Sequence, residues 1–250
     1  MSGGPGVLAE LLAAAQSAVI LTGAGISVPS GIPDFRSPGT GLWENVDPME
    51  VAHIDVWRRD PDRFWHFYGA RFATLADIEP NPAHVAVAEL ERRGFVRGVI
   101  TQNIDRLHRA AGSERVVEVH GSIELSHCPI CGGQVELRLV MEMLEAGEGA
   151  PECPACVTPL KPDVVLFGEM LPEAAMSDAE RLAREADLMV CIGSSLTVHP
   201  VAGLPDMTLA SGGRLAIVTE SETPYDAVAS VRLGGDVVDE LESVVAALQS

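Results

Sequence analysis

Six short apolar runs constrain this chain's fold more than any other feature: Ala18–Leu21, Val96–Ile100, Val116–Val119, Val164–Phe167, Leu188–Ile192 and Leu215–Val218. Several are near-continuous in Val, Ile and Leu, as parallel strands covered on both faces must be. Segments with helical periodicity accompany them: Val7–Gln16, Ala83–Arg93 (stopped by Gly94), Ser177–Ala186 and a closing Val237–Leu248. Ser177 and Glu180 have the spacing of a capping box. Strands alternating with helices predict an α/β fold, a doubly wound, Rossmann-like parallel sheet. Two stretches break the rhythm. Residues 36–90 include the aromatic-rich Trp57–Ala76, which suits one or two helices outside the sheet, and residues 123–160 hold most of the cysteines. The expected organisation is a sheet domain from 1–35, 91–122 and 161–250, with a smaller domain formed by the two insertions.

The first run leads into Gly23-Ala-Gly-Ile-Ser-Val-Pro-Ser-Gly-Ile-Pro-Asp-Phe-Arg36. A glycine turn after a buried strand is how an α/β sheet presents backbone N–H groups to a phosphate. The dinucleotide fingerprint is incomplete, because Val28 stands at the third glycine position. Pro29 and Pro33 exclude a long helix directly after the turn. An ordinary βα turn fits the glycines equally well, but Asp34, Phe35 and Arg36 give the loop a chemical character that such a turn does not need.

Cys128-Pro-Ile-Cys131 and Cys153-Pro-Ala-Cys156 are two C-x-x-C pairs with 21 residues between them. Each offers two thiolates from one tight knuckle, and four complete a tetrahedral zinc shell. Two disulfides or a redox pair are the alternatives; a cytoplasmic chain disfavours the first and the duplication the second. With four protein ligands the metal staples the insert and keeps no position open for catalysis. Cys191 lies in an apolar run and reads as inert core.

Thr101-Gln-Asn-Ile-Asp105 follows the run ending at Ile100, and His120-Gly121 follows the one ending at Val119. The carboxyl ends of parallel strands are where α/β sites keep their specificity groups. Asn103 and Asp105 also suit a helix cap over Arg106–Ala111, whereas Gln102 has no capping role. Of the seven histidines, His120 is the one candidate general base. Gly193-Ser-Ser195 brings small residues to the end of a further strand, where phosphate or ribose can approach.

The chain has 250 residues and a net charge of −19, which disfavours nucleic acid and favours cationic peptide segments. No run of about eighteen apolar residues occurs and the N-terminal residues lack a basic region, so no membrane span and no secretory signal are expected. The expectation is a cytoplasmic monomer.

Taken together, Gly23–Arg36, Thr101–Asp105, His120-Gly121, the C-x-x-C pairs, Pro162-Asp-Val-Val-Leu-Phe-Gly-Glu169 and Gly193-Ser-Ser-Leu-Thr-Val-His-Pro200 resemble the sirtuins in residue type and order. Sirtuins are NAD-dependent protein lysine deacylases. The resemblance runs from about residue 12 to residue 241. It implies NAD as co-substrate, one structural zinc, and transfer of the acyl group to ADP-ribose with release of nicotinamide. It assigns His120 the proton of the ribose hydroxyl. Cofactor contacts fall to Gly23, Ala24, Gly25, Ser27, Ile32, Asp34, Phe35, Arg36, Gln102, Asn103, Ile104, Asp105, Gly193, Ser194 and Ser195. Val165, Phe167, Gly168, Glu169 and Val198 are implied to clamp an acyl-lysine peptide as an added strand. The chain departs from the family where an asparagine is common after Val218: it has Thr219 and Glu220, which then serve the adenosine ribose, with Val237 near the adenine.

Tyr68 and Arg71, three apart in a helix, share one face. Sirtuins that prefer succinyl- or malonyl-lysine carry Tyr-x-x-Arg there, and Ala52 resembles the small residue that opens their acyl pocket. An arginine so placed pairs with the acyl carboxylate. The alternatives are a packed Tyr68 with a solvated Arg71, a plain deacetylase, or a mono-ADP-ribosyltransferase. Beyond this family, an NAD-dependent dehydrogenase and a non-catalytic scaffold remain as rivals.

Overall fold

The computed structural model of the protein describes residues 4–33, 47–147 and 149–249. Asp34, Phe35 and Arg36 lie outside them. Helix α1 (Pro5–Ala14) leads into strand β1 (Ala18–Thr22), followed by a 3-10 segment, Ala24–Ser30. Three helices come next: α2 (Pro48–Val51), α3 (Ile54–Arg59) and α4 (Pro61–Ala76). After α5 (Pro82–Arg92) come β2 (Val99–Thr101), α6 (Leu107–Ala110) and β3 (Val116–Glu118). The second insertion contributes β4 (Gly121–His127), β5 (Gln134–Glu136), α7 (Leu137–Ala146) and β6 (Lys161–Val164). The chain closes with α8 (Glu173–Glu185), β7 (Leu188–Ile192), α9 (Leu204–Ala210), β8 (Arg214–Val218), β9 (Val231–Leu233) and α10 (Val237–Ala247).

Six strands form one parallel sheet in the order β3-β2-β1-β7-β8-β9. Every residue of β1 and β7 is buried, because alternate side chains enter two different cores. Ala18 and Ile20 face the layer of α1, α5 and α10, with Leu8, Val87 and Leu241. Val19 and Leu21 face that of α8 and α9, with Leu182 and Leu204. Helix α5 therefore belongs to the sheet's own packing, although most of it falls in the stretch 36–90 assigned to the smaller domain. At its start Asn81 caps the helix and Pro82 occupies its first turn.

A third core joins the two insertions. Phe64, Trp65, Tyr68 and Phe72 of α4 pack against Val135, Val140, Cys128, Cys153 and Leu160. The indole N–H groups of Trp57 and Trp65 both donate to the Leu160 carbonyl, at 3.0 and 2.8 Å.

Two local expectations change. The run Val164–Phe167 is not a strand of the parallel sheet: β6 ends at Val164 and pairs antiparallel with β4 in a three-stranded sheet, β5-β4-β6. Pro162 is tolerated because β6 is an edge strand. Helix α8 starts at Glu173, a turn before Ser177, so Ser177 is interior and caps nothing. No helix among the described residues is long and apolar enough to cross a membrane.

Candidate functional site

The strand order reverses between β1 and β7, and the loops leaving these two strands pack backbone to backbone. The Gly23 N–H donates to the Ile192 carbonyl at 3.0 Å, and the Gly25 N–H to the Gly193 carbonyl at 2.8 Å. A Cβ on Gly25 would lie 2.7 Å from Gly193 Cα, and one on Gly193, at φ +60, 2.3 Å from the Ile26 nitrogen. No side chain fits either position. The turn glycines thus serve loop-to-loop contact, and the N–H groups of Gly23 and Gly25 are spent inside the protein. What they create is a smooth, side-chain-free floor at the switch point, where ligands of open α/β sheets bind.

Gln102, Asn103 and Asp105 converge on this floor from the end of β2. The Gln102 Nε2 donates to Ser194 Oγ at 2.9 Å, bridging the ends of β2 and β7 across β1. The Asn103 Nδ2 donates to the Gly23 carbonyl and to Ser27 Oγ, both at 3.1 Å. Ser27 Oγ in turn donates to Asp105 Oδ2 at 2.7 Å. Asp105 Oδ1 also accepts the Leu107 N–H at 3.0 Å, so the capping role and the site role coexist. Burial raises the Asp105 carboxyl above its ordinary range, against the lowering effect of those hydrogen bonds.

Sequence reasoning missed the layer beneath. His84 Nε2 lies 3.3 Å from Ser27 Oγ, and His108 Nε2 lies 2.9 Å from Thr22 Oγ1, which itself donates to Thr101 Oγ1. Since both hydroxyl protons are committed elsewhere, each histidine donates from Nε2 and is neutral with Nδ1 unprotonated. Burial holds His84 down at about 4 and His108 at about 3. The only signal was the proximity of each histidine to a helix start, and their partners are remote in sequence.

His120 leaves the end of β3 with Nδ1 2.9 Å from the Gln102 carbonyl. A carbonyl only accepts, so Nδ1 carries the proton and Nε2 keeps its lone pair. Burial lowers the pKa of His120 below histidine's ordinary value, partly offset by this hydrogen bond, so the ring is neutral near pH 7. A neutral imidazole in a fixed tautomer is a general base held ready.

The His120 carbonyl ties it to the neighbouring segment, accepting the Val165 N–H at 2.9 Å. Phe167 next exchanges backbone bonds with Ala52 and Ile54, each at 2.9 Å. Ala52, Val165, Phe167, Gly168 and Glu169 thus form one continuous wall. Val198 is exposed in the loop after β7. Tyr68 is buried and stacked on Phe64, with centroids 4.6 Å apart. Burial pushes its phenol up to about 12 and pulls the Arg71 guanidinium below arginine's usual value, and each group opposes the other's shift. Arg71 forms no ion pair among the described residues.

The remaining expected contacts lie toward β8. Ser195 shares a hydrogen bond with Thr197, and Thr219 with Ser221, while Glu220 is exposed at the end of β8. Val237 starts α10 and is half-buried, as is Ile32 beside the glycine loop, and Ile104 packs at the edge of the third core. Ala24 opens the 3-10 segment.

The four knuckle cysteines form one cluster, with all four sulfurs within 4.8 Å of one another and Cys131 and Cys153 at 3.7 Å. Four Zn–S bonds of about 2.3 Å in a tetrahedron place sulfurs about 3.8 Å apart, so the donor set fits zinc. All four are free thiols. Gly132 at φ +70 and Val157 at φ +53 turn the two knuckles alike.

This arrangement has relatives. The Sir2 family model matches residues 23–200. A protein of Sulfolobus acidocaldarius named NAD-dependent protein deacetylase is 44% identical over 243 residues, covering 97% of this chain and 94% of the relative. One of Thermotoga maritima with the same name is 43% identical over 230 residues, 92% of each. Among solved structures, a Sir2 variant with a deacetylated p53 peptide and 3'-O-acetyl ADP ribose superposes with a TM-score of 0.92 at 40% identity, covering 98% of both chains. A Sir2 protein bound to a propionylated peptide gives 0.87 at 40% identity, covering 96% of both. A glycine-floored switch point, a tautomer-locked histidine and a four-thiol knuckle thus occur together on a chain that belongs to the Sir2 family.

Proposed function

We propose that the protein is an NAD-dependent protein lysine deacylase that removes acetyl groups and, through Arg71, succinyl or malonyl groups. The observation that carries this reading is the His120 ring, neutral and held by Nδ1 on the Gln102 carbonyl, with Nε2 left to take a proton. When bound, NAD would serve as co-substrate: its ribose carbon would bond to the acyl-lysine amide oxygen as the bond to nicotinamide breaks, and with one water the amide C–N bond would then break, giving O-acyl-ADP-ribose and free lysine. Gln102, Asn103 and Asp105 orient the nicotinamide ribose over the glycine floor, and Ser194 and Ser195 face the phosphates. The Val165–Glu169 wall holds the peptide backbone. Zinc in the Cys128, Cys131, Cys153, Cys156 shell supports the small lobe. A surface of net charge −19 suits acylated segments of basic proteins better than nucleic acid, and we infer a cytoplasmic monomer.

The acidic-acyl reading rests on Arg71, a partly buried cation with no carboxylate partner among the described residues, beside the Tyr68 phenol. A succinyl or malonyl carboxylate fills that vacancy in charge. Wild type and Arg71→Met are compared on acetyl- and succinyl-lysine peptides with NAD, reading nicotinamide release by mass spectrometry. Wild type releases nicotinamide with both. Arg71→Met loses succinyl turnover by roughly tenfold or more, the scale of one charge-assisted pair, and retains acetyl turnover. Succinyl turnover that is absent in wild type, or unchanged by the substitution, removes the acidic-acyl reading and leaves a plain deacetylase.

A further inference from the structure

Of the chain's seventeen Lys and Arg residues, Lys161 is the one lysine. It is not a surface charge: the residue is 7% exposed. Its Nζ donates to the carbonyls of Pro162 and Val164 at 3.1 and 2.8 Å and pairs with Glu169 Oε2 at 2.7 Å. An ammonium has three donors, and here three oxygens converge on it. A planar guanidinium fork does not meet three oxygens arranged around a point. That gives a physical reason for a lysine at this position in a chain that otherwise uses arginine.

The pair closes a loop around the substrate wall. Glu169 Oε2 also accepts the Leu166 N–H at 2.9 Å, and the Glu169 N–H donates to the Leu166 carbonyl at 3.0 Å. Both backbone groups of Leu166 are therefore tied to a residue whose carboxylate Lys161 holds. On either side of Leu166 the backbone is bound to the His120 carbonyl through Val165 and to Ala52 through Phe167. A shift of Glu169 would free both backbone groups of Leu166, which lies between the Val165 bond to His120 and the Phe167 bonds to Ala52 and Ile54.

We propose that Lys161 is a positioning residue for the acyl-lysine peptide, acting through Glu169 to hold the Val165–Gly168 backbone in the course against which the substrate strand pairs. The inference rests on the deacylase reading above. Peptide affinity is measured by fluorescence anisotropy with an acetyl-lysine peptide in the absence of NAD, alongside NAD affinity and steady-state nicotinamide release. Lys161→Met and Glu169→Gln each weaken peptide binding by roughly tenfold. In Lys161→Met, NAD affinity stays unchanged and kcat at saturating peptide stays within about twofold of wild type, since the His120 and ribose contacts are untouched. The double variant binds no more weakly than the weaker single one, because both act on one interaction. If Lys161→Met does not fold, Glu169→Gln carries the comparison, since it keeps the volume and an acceptor for Leu166. Unaltered peptide affinity in Glu169→Gln, or multiplied losses in the double variant, overturns this inference alone. A wild type that releases no nicotinamide overturns the deacylase reading and this inference with it.

Discussion

At His120 the decisive atom is Nε2, and its state is set by a bond made at the other nitrogen. The Gln102 carbonyl fixes the tautomer and burial keeps the ring neutral. His120→Ala removes the base, so kcat falls by about 10² to 10⁴, the usual worth of general-base catalysis. Peptide affinity measured without NAD is retained, and a loss there equal to the loss in kcat would show that His120 acts in binding. The base works only when deprotonated, and its pKa is lowered. The acid limb of kcat/KM therefore falls below histidine's ordinary range, and a limb above it would contradict the assigned environment. The candidates His120, Gln102, Asn103 and Asp105 could be picked out in the sequence because each lies just after an apolar run. Thr22, His84 and His108 could not: their bonds span 57 to 86 residues, and a place near a helix start does not point the histidines to their partners.

Two elements carry more than their own secondary structure. Asn81 caps α5 by accepting the Ala83 N–H at 2.9 Å, while its Nδ2 donates to the Ile26 carbonyl and Ser30 Oγ. One side chain thus joins the helix to the glycine loop. Asn81→Ala costs about 2–3 kcal/mol, a lost cap plus a buried carbonyl left without its donor. Asn81→Asp keeps the cap and recovers only part of that in urea unfolding; full recovery would mean the Ile26 bond contributes nothing. The zinc knuckles are the second such element. Cys128 and Cys153 lie in the same core as Trp65, so metal and aromatic packing are one unit. Elemental analysis of the purified protein should give one zinc per chain. A strong chelator shifts tryptophan emission to the red while most of the sheet's far-ultraviolet signal survives, because structural zinc supplies folding energy directly. Emission indifferent to chelation would uncouple the two. The knuckles were legible from spacing alone. The strand β6 was misplaced because a run such as Val164–Phe167 reads the same in either sheet.

For the molecule as a whole, the buried histidine pair makes stability depend on pH. His84 and His108 have an ordinary value of 6.5 and are held at about 4 and about 3 when folded. The unfolded chain therefore binds more protons below pH 6.5, and stability is full above that value and declines as pH falls toward 4. The slope approaches ~1.4 kcal/mol per pH unit for each residue. Asp105, raised by burial, opposes the trend as pH nears its own titration. Urea midpoints should fall steadily from pH 7 to pH 5; a flat profile would mean the pair is not buried and neutral. What the sequence determined by itself was whatever depends on near neighbours: the buried strands from their composition, the four-cysteine cluster from paired cysteines, and the candidate site residues from their place after strands. Only the tertiary structure decided that the turn glycines serve a contact between Gly25 and Gly193. Likewise it decided that α5 packs on the sheet, and that the single lysine pairs with Glu169. Each of these is a packing choice between segments that the chain brings together only on folding, and a linear pattern does not encode which surfaces meet.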